Sequence, residues 1–359
     1  MATPFRVIDT GLRGGRENIA FDRALIDARL EDAIPDTIRF LRFTPSALVG
    51  RHQDMSREVR IDHCRREGIE LVRRITGGGA IFFDEGQLGW ELVFKRAHLP
   101  FGDLGQAAKA ICEAAASGLS ILGIDAKYRP RNDIEVDGRK ICGTGGFFEG
   151  DVLFYQGTLL ITVDPARMMA ALNVPEAKLK KRDLDDPAKR VTTLKALMGG
   201  GVPDLATIQA ALTQGFADGL GLDCRADTAS EGEEARCRNA YEEEIGRDDY
   251  VFEIDAPART GDVLEGSHPG AGGTVTAYLR LESAAPDRIR EVLFTGDFFI
   301  APPRAVFDLE ARLRGERASD APQVIKQFFQ DARVDALTLT PGDFIAAFVA
   351  AMESGKAPA

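Results

Sequence analysis

Two glycine-rich segments and one lysine carry the residue types that chemistry on a carboxyl or phosphoryl group needs. The first segment reads Arg73-Arg74-Ile75-Thr76-Gly77-Gly78-Gly79. Residues without side chains let the backbone approach a ligand, and successive N–H groups cradle an anion. Two adjacent arginines add fork-shaped donors for phosphate or carboxylate. The second segment runs from Arg131-Asn132-Asp133 through the tight pair Asp137-Gly138 to Arg139-Lys140, then Ile141-Cys142-Gly143-Thr144-Gly145-Gly146. An ammonium fixed at Lys140 would meet both a phosphate and a carboxylate oxygen. Activation of an acid by ATP needs such a cation, because charge builds on the α-phosphate as the carboxylate attacks. The same residues also fit a plain Gly-rich turn and a solvent-facing hairpin lysine, and pattern alone leaves both pairs of readings open. The spacing matches neither GxxxxGK[ST] nor GxGxxG.

The elements that must position these residues are short strands separated by a few helices. Ile38–Phe43 alternates in the manner of a strand, Glu70–Ile75 has strand character, and Gln87–Phe94 reads as another. Asn132–Val136 and Lys140–Ile141 flank Asp137-Gly138, a strong hairpin signal. Val152–Val163 is strand-rich, with Gly157 read as a bulge. Asn18 is placed to cap the amphipathic run that follows it or to serve a nearby site. Leu104–Leu119 has helical spacing on one apolar face. The pattern is α+β and lacks the repeated strand–helix units of a doubly wound sheet. From Gly261, GDVLEGSHPGAGG is turn-rich, and a renewed strand–helix pattern follows. The expected division is a catalytic domain over 1–255 and a small α+β accessory domain over 256–359.

Bulk properties narrow the function classes. The 359 residues are 44% hydrophobic with a formal net charge of -11, enough apolar side chain for a sizeable core. The acidic balance, with no interleaving of basic and aromatic residues, argues against a nucleic-acid partner. Cysteines 64, 112, 142, 224 and 237 form no CxxC pair, and the histidines are dispersed, so a zinc or iron–sulfur site is not expected. No secretory h-region and no long uncharged apolar stretch is visible. Cytoplasmic localisation and no membrane partner are the expectations.

Taken together, the segments resemble the lipoate–protein ligase family, within the wider biotin/lipoyl ligase and octanoyltransferase group. Arg73–Asp84 looks like the R-R-x-[ST]-G-G-G-A-x-x-x-D signature, and Arg131–Gly143 like R-N-D-[LI] … G-[RK]-K-[IV]-x-G. Gly157-Thr158-Leu159-Leu160 looks like G-T-L-L, and Lys189–Leu194 resembles R-V-T-N-L. Phe83 and Tyr155-Gln156 depart from positions where the family often has histidine.

The resemblance implies a biotin/lipoyl ligase-like mixed-sheet fold and an ATP-dependent enzyme that forms lipoyl-adenylate. Lipoate or octanoate would be the small-molecule substrate, and the acyl group would pass to a lysine of a lipoyl-carrier acceptor protein. It implies that Lys140 is the catalytic lysine. Arg73 and Gly77, Gly78 and Gly79 would line the lipoyl and phosphate pocket. Asn132 and Asp133 would hold nucleotide or metal, with Asp133 the expected contact for the Mg²⁺ that accompanies ATP. Three rivals stand beside this reading: an octanoyltransferase acting through a Cys142 thioester, a biotin-type ligase, and a non-catalytic lipoyl-binding protein. The transferase draws its strength from strand periodicity, because residues two apart share a face and Cys142 could then point with Lys140; the expectation is nevertheless a buried structural cysteine that is not a nucleophile. The basic run 178–195 would attract an acidic acceptor.

Overall fold

The computed structural model describes residues 2–99, 101–130, 132–173, 190–255, 262–332, 334–336 and 339–355. Among them, eight strands form one mixed sheet. In chain order these are β1 (Thr3–Arg13), β2 (Thr37–Phe43), β6 (Gln87–Lys95), β7 (Lys127–Arg129), β8 (Asp133–Val136), β9 (Arg139–Glu149), β10 (Val152–Leu160) and β11 (Leu222–Ala226). Their order across the sheet is β11-β1-β2-β6-β10-β9-β8-β7. A second, three-stranded sheet is built from β3 (Ser46–Val49), β4 (Glu70–Arg73) and β5 (Ile81–Phe83), with β3 central. The α+β expectation holds. The Asp137-Gly138 hairpin also holds: both residues have positive φ (49° and 75°) between the paired residues Val136 and Arg139. Two consecutive left-handed residues match the twist of the flanking strands, which is why this dipeptide is favoured there.

The large sheet is buried on both faces. On one, Trp90, Tyr155, Leu159 and Cys142 pack against the helices Leu104–Ile121 and Leu205–Leu220. On the other, Leu41, Val93, Phe147 and Phe154 pack with the helix Gly15–Leu30. The alternation in β2 therefore does not mark a wet face. Arg39 is fully buried and donates to Asp22 (2.7 Å), Glu91 (3.0 Å) and Asn18 (2.7 Å). Burial, then the neighbouring Glu91, push the Asp22 carboxyl well above its ordinary range. One guanidinium between two carboxylates pins the first helix to the sheet, since a buried charge persists only when paired. Asn18 belongs to this network. It does not cap the helix, whose N-cap is Gly14. Gly157 is not a bulge: it pairs in register with Trp90 and Thr144, and a side chain there would collide with the Trp90 indole.

Residues beyond 261 carry a separate apolar cluster around Val275, Leu279, Phe294, Leu309 and Phe344. Strands β12 (Leu264–Gly270), β13 (Gly273–Glu282) and β14 (Ala285–Gly296) form an antiparallel sheet. Helices Ala305–Leu313, Ala321–Asp331 and Pro341–Ser354 accompany it. The turn-rich reading of residues 261–273 gives way to strand over Leu264–Gly270, because Gly270 pairs directly with Gly273 and the whole run zips onto β13. This unit touches the rest of the chain next to the Gly77–Gly79 loop. Gly296 donates to the His52 carbonyl (2.9 Å), Gly78 donates to the Phe298 carbonyl (3.2 Å), and the Phe298 ring stacks on His52 at 5.2 Å. Among the described residues no helix is long and apolar enough to cross a membrane.

Candidate functional site

The register of the large sheet builds a trough. Leu41 lies opposite Gly89, Gly89 opposite Thr158, Thr158 opposite Gly143, and Gly143 opposite Asp133. Directly opposed residues point to one face, so this is a single row across five strands, about 19 Å at the usual strand spacing. Glycines at two of its positions leave the floor low. The flanking row continues the floor through Glu91, Gln156 and Gly145. Above it hang Gly77–Gly79, in the connection between β4 and β5, and Phe299 from the C-terminal unit. The enclosed cleft measures ≈ 410 Å³. Its Leu41 end is apolar, closed by Phe43 and Phe83 with ring centroids 5.0 Å apart. Its Asp133 end is charged.

The charged end is set by a bulge. Asp133 pairs with Gly143 and Ile134 with Cys142, but Glu135 pairs with Lys140, so Ile141 is the extra residue. A bulge reverses the alternation on one side of itself. Lys140 therefore shares a face with Gly143 and Asp133. Its Nζ lies 2.7 Å from Asp133 Oδ1, and a Cβ on Gly143 would stand 2.5 Å from that Nζ. Arg129 holds the other Asp133 oxygen. Burial alone would raise the Asp133 carboxyl, but Lys140 and then Arg129 outweigh it and hold it below its usual range. The Lys140 backbone is fixed by Thr192 N–H, which donates to its carbonyl (2.8 Å). Asn132 also lines the cleft, and its amide donates to the Thr144 carbonyl (2.6 Å).

The same bulge turns Cys142 away from Lys140, against the strand alternation on which the rival transferase reading rests and in line with a buried structural cysteine. Its thiol lies on the opposite face of β9, in the core with Cys112 and Trp90. Burial pushes it far above the ordinary thiol range. The cleft lining, among the described residues, contains no cysteine.

Arg73 corrects an expectation. The structure does not bring it to the cleft. Its guanidinium is fully buried and donates to the carbonyls of Gly50, Arg51, Gln53, Tyr250, Val251 and Ile254. Arg74 likewise donates to the carbonyls of Leu48, Gly77 and Gly79, curling the loop. Burial lowers both guanidinium groups to about 10, with Arg51 adding to the effect at Arg73. The arginines thus shape the glycine loop by satisfying carbonyls that would otherwise be orphaned. Gly77, Gly78 and Gly79 do line the cleft. A Cβ on Gly78 would stand 2.7 Å from the Phe299 ring, and one on Gly145 would strike the same ring.

Lys140, Asp133, Asn132 and Gly77–Gly79 therefore converge, and Arg73 does not. Among the described residues no three His, Cys, Asp or Glu side chains gather to hold a metal ion. Arg131 and residues 178–189 of the basic run lie outside the described residues. Sequence reasoning missed Glu91, Gln156 and Phe299. Glu91 had a signal, a charge inside the otherwise apolar Leu88–Phe94. Gln156, which donates to Thr76 Oγ1 (2.9 Å) and ties the floor to the loop, had only its odd position before G-T-L-L.

The site is thus an elongated trough on a mixed sheet, apolar at one end and charged at the other. Residues 15–217 match the lipoyl protein ligase A/B catalytic domain, and the chain belongs to that family. Over 273 residues it is 29% identical to the octanoyltransferase LipM of Symbiobacterium thermophilum, covering 70% of this chain and 98% of that one. An archaeal lipoylation system from Thermoplasma acidophilum, a bipartite lipoate protein ligase and its E2 lipoyl domain, matches with a TM-score of 0.60 at 25% identity. That match covers 72% of this chain and 99% of the other. LipL1 of P. falciparum, in complex with lipoate, has a TM-score of 0.70 over 92% of this chain and 95% of its own. At 16% identity that likeness concerns the fold, which extends through the C-terminal unit.

Proposed function

We propose that the chain is an ATP-dependent lipoate–protein ligase. The observation that carries this reading is the Lys140–Asp133 pair at the charged end of a trough whose lining, among the described residues, holds no cysteine. In the first step a lipoate carboxylate oxygen bonds to the α-phosphorus of ATP and pyrophosphate leaves. In the second, a lysine amine of a lipoyl-carrier protein attacks the acyl carbon, an amide forms and AMP leaves. Lys140 stabilises the charge that builds on the phosphoryl oxygens, while the N–H groups of Gly77 and Gly79 and the Asn132 side chain position the nucleotide. Asp133, a cleft-lining carboxylate that Lys140 and Arg129 hold below its usual range, would be the protein contact for a Mg²⁺ that keeps waters and takes substrate phosphates. Bound there, Mg²⁺ would supply Lewis-acid neutralisation of phosphate charge. Lipoate-dependent pyrophosphate release from the folded, ATP-saturated protein tests the reading; its absence would overturn it.

A transferase moving octanoyl between carriers would need an enzyme thiolate. Cys142 is turned away and its thiolate is strongly disfavoured by burial. The Cys142→Ser variant should keep more than half of the wild-type ATP-dependent modification of an acceptor. Intact-mass spectra after incubation with octanoyl-carrier should show no thioester. A dead serine variant together with an ATP-independent acyl adduct on the wild type would replace the ligase by the transferase.

Phe299 adds a third expectation. Its ring covers the glycine floor and loop at Gly145 and Gly78, where it shields the reacting centre from water. Phe299→Ala should consume more ATP per amide formed, as activated acyl groups are lost to hydrolysis. An ATP-to-amide ratio equal to that of the wild type would remove this role.

A further inference from the structure

A small hydroxyl network lies beneath the glycine floor at the charged end of the cleft. In β9, Gly143 and Gly145 turn toward the cleft, so Thr144 between them faces the helix layer. Its direct partner across the strands is Gly157 of β10, and Tyr155 is its diagonal neighbour on that face. Gly146, opposite Tyr155, leaves the room that the phenol ring fills; a Cβ there would stand 2.7 Å from the ring. The Tyr155 and Thr144 hydroxyl oxygens meet at 2.6 Å. Cys112 Sγ, from the helix Leu104–Ile121, lies 3.6 Å from the first and 3.4 Å from the second. All three residues are buried, in a layer otherwise filled by apolar side chains such as Trp90, Ile134 and Leu159.

The proton count fixes the direction of these bonds. Thr144 has one hydroxyl proton and donates it to the Asn132 carbonyl (2.9 Å), so Tyr155 donates to Thr144. Burial pushes the Tyr155 hydroxyl well above its ordinary range, which keeps that proton in place. Thr144 N–H donates to the same Asn132 carbonyl (2.8 Å), and the Thr144 carbonyl accepts from Asn132 Nδ2 (2.6 Å). Asn132 is therefore tied to Thr144 at both its backbone and its side chain. A carbonyl only accepts, so the amide nitrogen must face it. Asn132 Oδ1 is left at the cleft without a protein partner among the described residues.

We propose that Thr144 and Tyr155 are positioning residues for the nucleotide, holding Asn132 so that its Oδ1 meets a donor on the nucleoside, a ribose hydroxyl or the adenine amino group. The proposal rests on the reading that the chain binds ATP at this end of the cleft. An ionised phosphate oxygen only accepts and cannot bond to Oδ1, whereas the ribose hydroxyls and the adenine amino group donate. Tyr155 does not line the cleft, so any effect of its hydroxyl on ATP passes through Thr144 and Asn132. Without the Tyr155 proton the Thr144 hydroxyl keeps a buried, unsatisfied acceptor site and loses the bond that fixes its rotamer.

Titration of the full-length chain with ATP, without lipoate, reads affinity in the absence of turnover. Y155F should weaken ATP binding roughly threefold to tenfold, the usual weight of one hydrogen bond, and T144V at least about tenfold, since it removes two. T144S keeps the hydroxyl and should stay within about twofold of wild type. Asn132→Ala removes the group being positioned, so T144V added to it should cost less than about twofold more; a residue that acts through another is silent once the other is gone. Three analogues, 2′-deoxy-ATP, 3′-deoxy-ATP and purine riboside triphosphate, each lack one of the donors. The analogue that lacks the partner of Oδ1 should bind wild type more weakly than ATP does, and that difference should disappear in Asn132→Ala. Lower melting temperatures for Y155F and T144V with unchanged ATP affinity would make the network merely structural and overturn the proposal. So would equal losses from T144V with and without Asn132, or analogues that all bind wild type as tightly as ATP. A wild type that binds no ATP would sink the ligase reading and this proposal with it, whereas ATP binding unchanged in Y155F and T144V would sink the proposal alone.

Discussion

Lys140→Ala will cut lipoate-dependent pyrophosphate release by orders of magnitude while leaving the protein folded. The Nζ is the cation aimed into the charged end of the trough, with its side chain about one-third exposed (36%) and, among the described residues, only Asp133 within ion-pair reach. A fixed donor at developing charge is typically worth roughly 3–4 kcal/mol, a factor of about 10²–10³ in rate. The loss should fall on kcat, because the interaction strengthens as charge develops and contributes less to the bound ground state. The structural cost is small. The hydrogen bond that anchors this strand uses the backbone carbonyl, which alanine keeps, and Asp133 retains Arg129. Steady-state pyrophosphate release and a thermal melt of the same preparation check both halves. A variant within twofold of wild type would return Lys140 to the status of a hairpin lysine.

The pairing of that lysine with Asp133 was legible in the sequence through the hairpin signal. Asp137-Gly138 demands a two-residue turn, the turn demands that β8 and β9 pair, and the pairing brings Asp133 close to Lys140. The α+β class was legible for the same reason, strand by strand. The bulge at Ile141 was not legible. A bulge depends on which register buries the better set of side chains, and here Ile134 opposite Cys142 faces the helix layer. Simple alternation therefore left open a Cys142 that shares a face with Lys140, and the register places it in the core instead. Arg73 was misread for a related reason. An arginine beside glycines looks like a ligand donor, yet its partners are carbonyls brought in from Gly50–Gln53 and Tyr250–Ile254, some of them about 180 residues away. Phe299 left no local trace, because its contacts with Gly78 and Gly145 exist only once the C-terminal unit is seated. The glycines of the motif were visible; that one of their neighbours is a phenylalanine ring from far along the chain was not.

Arg73→Ala should give the opposite phenotype to Lys140→Ala, a large loss of stability. Six backbone carbonyls on two separate segments accept from this one fully buried guanidinium, the shortest at 2.6 Å from Gln53. Removing it leaves those acceptors without a donor and opens a cavity, a combination worth roughly 3–5 kcal/mol. At ~2–4 °C per kcal/mol for chains of this order of size, the melting temperature should fall by roughly 6–20 °C. Arg73→Lys should restore little, since a single ammonium cannot reach carbonyls on both segments that the planar fork spans. Below the melting transition, the KM for ATP should move by less than about threefold, because the guanidinium never enters the cleft. Calorimetry of the two variants beside wild type, with ATP titrations at a temperature where all three are folded, separates the roles. An unchanged melting temperature with a KM for ATP raised tenfold would mean that Arg73 leaves its carbonyls to meet the nucleotide, and the cage drawn here would not describe the working enzyme.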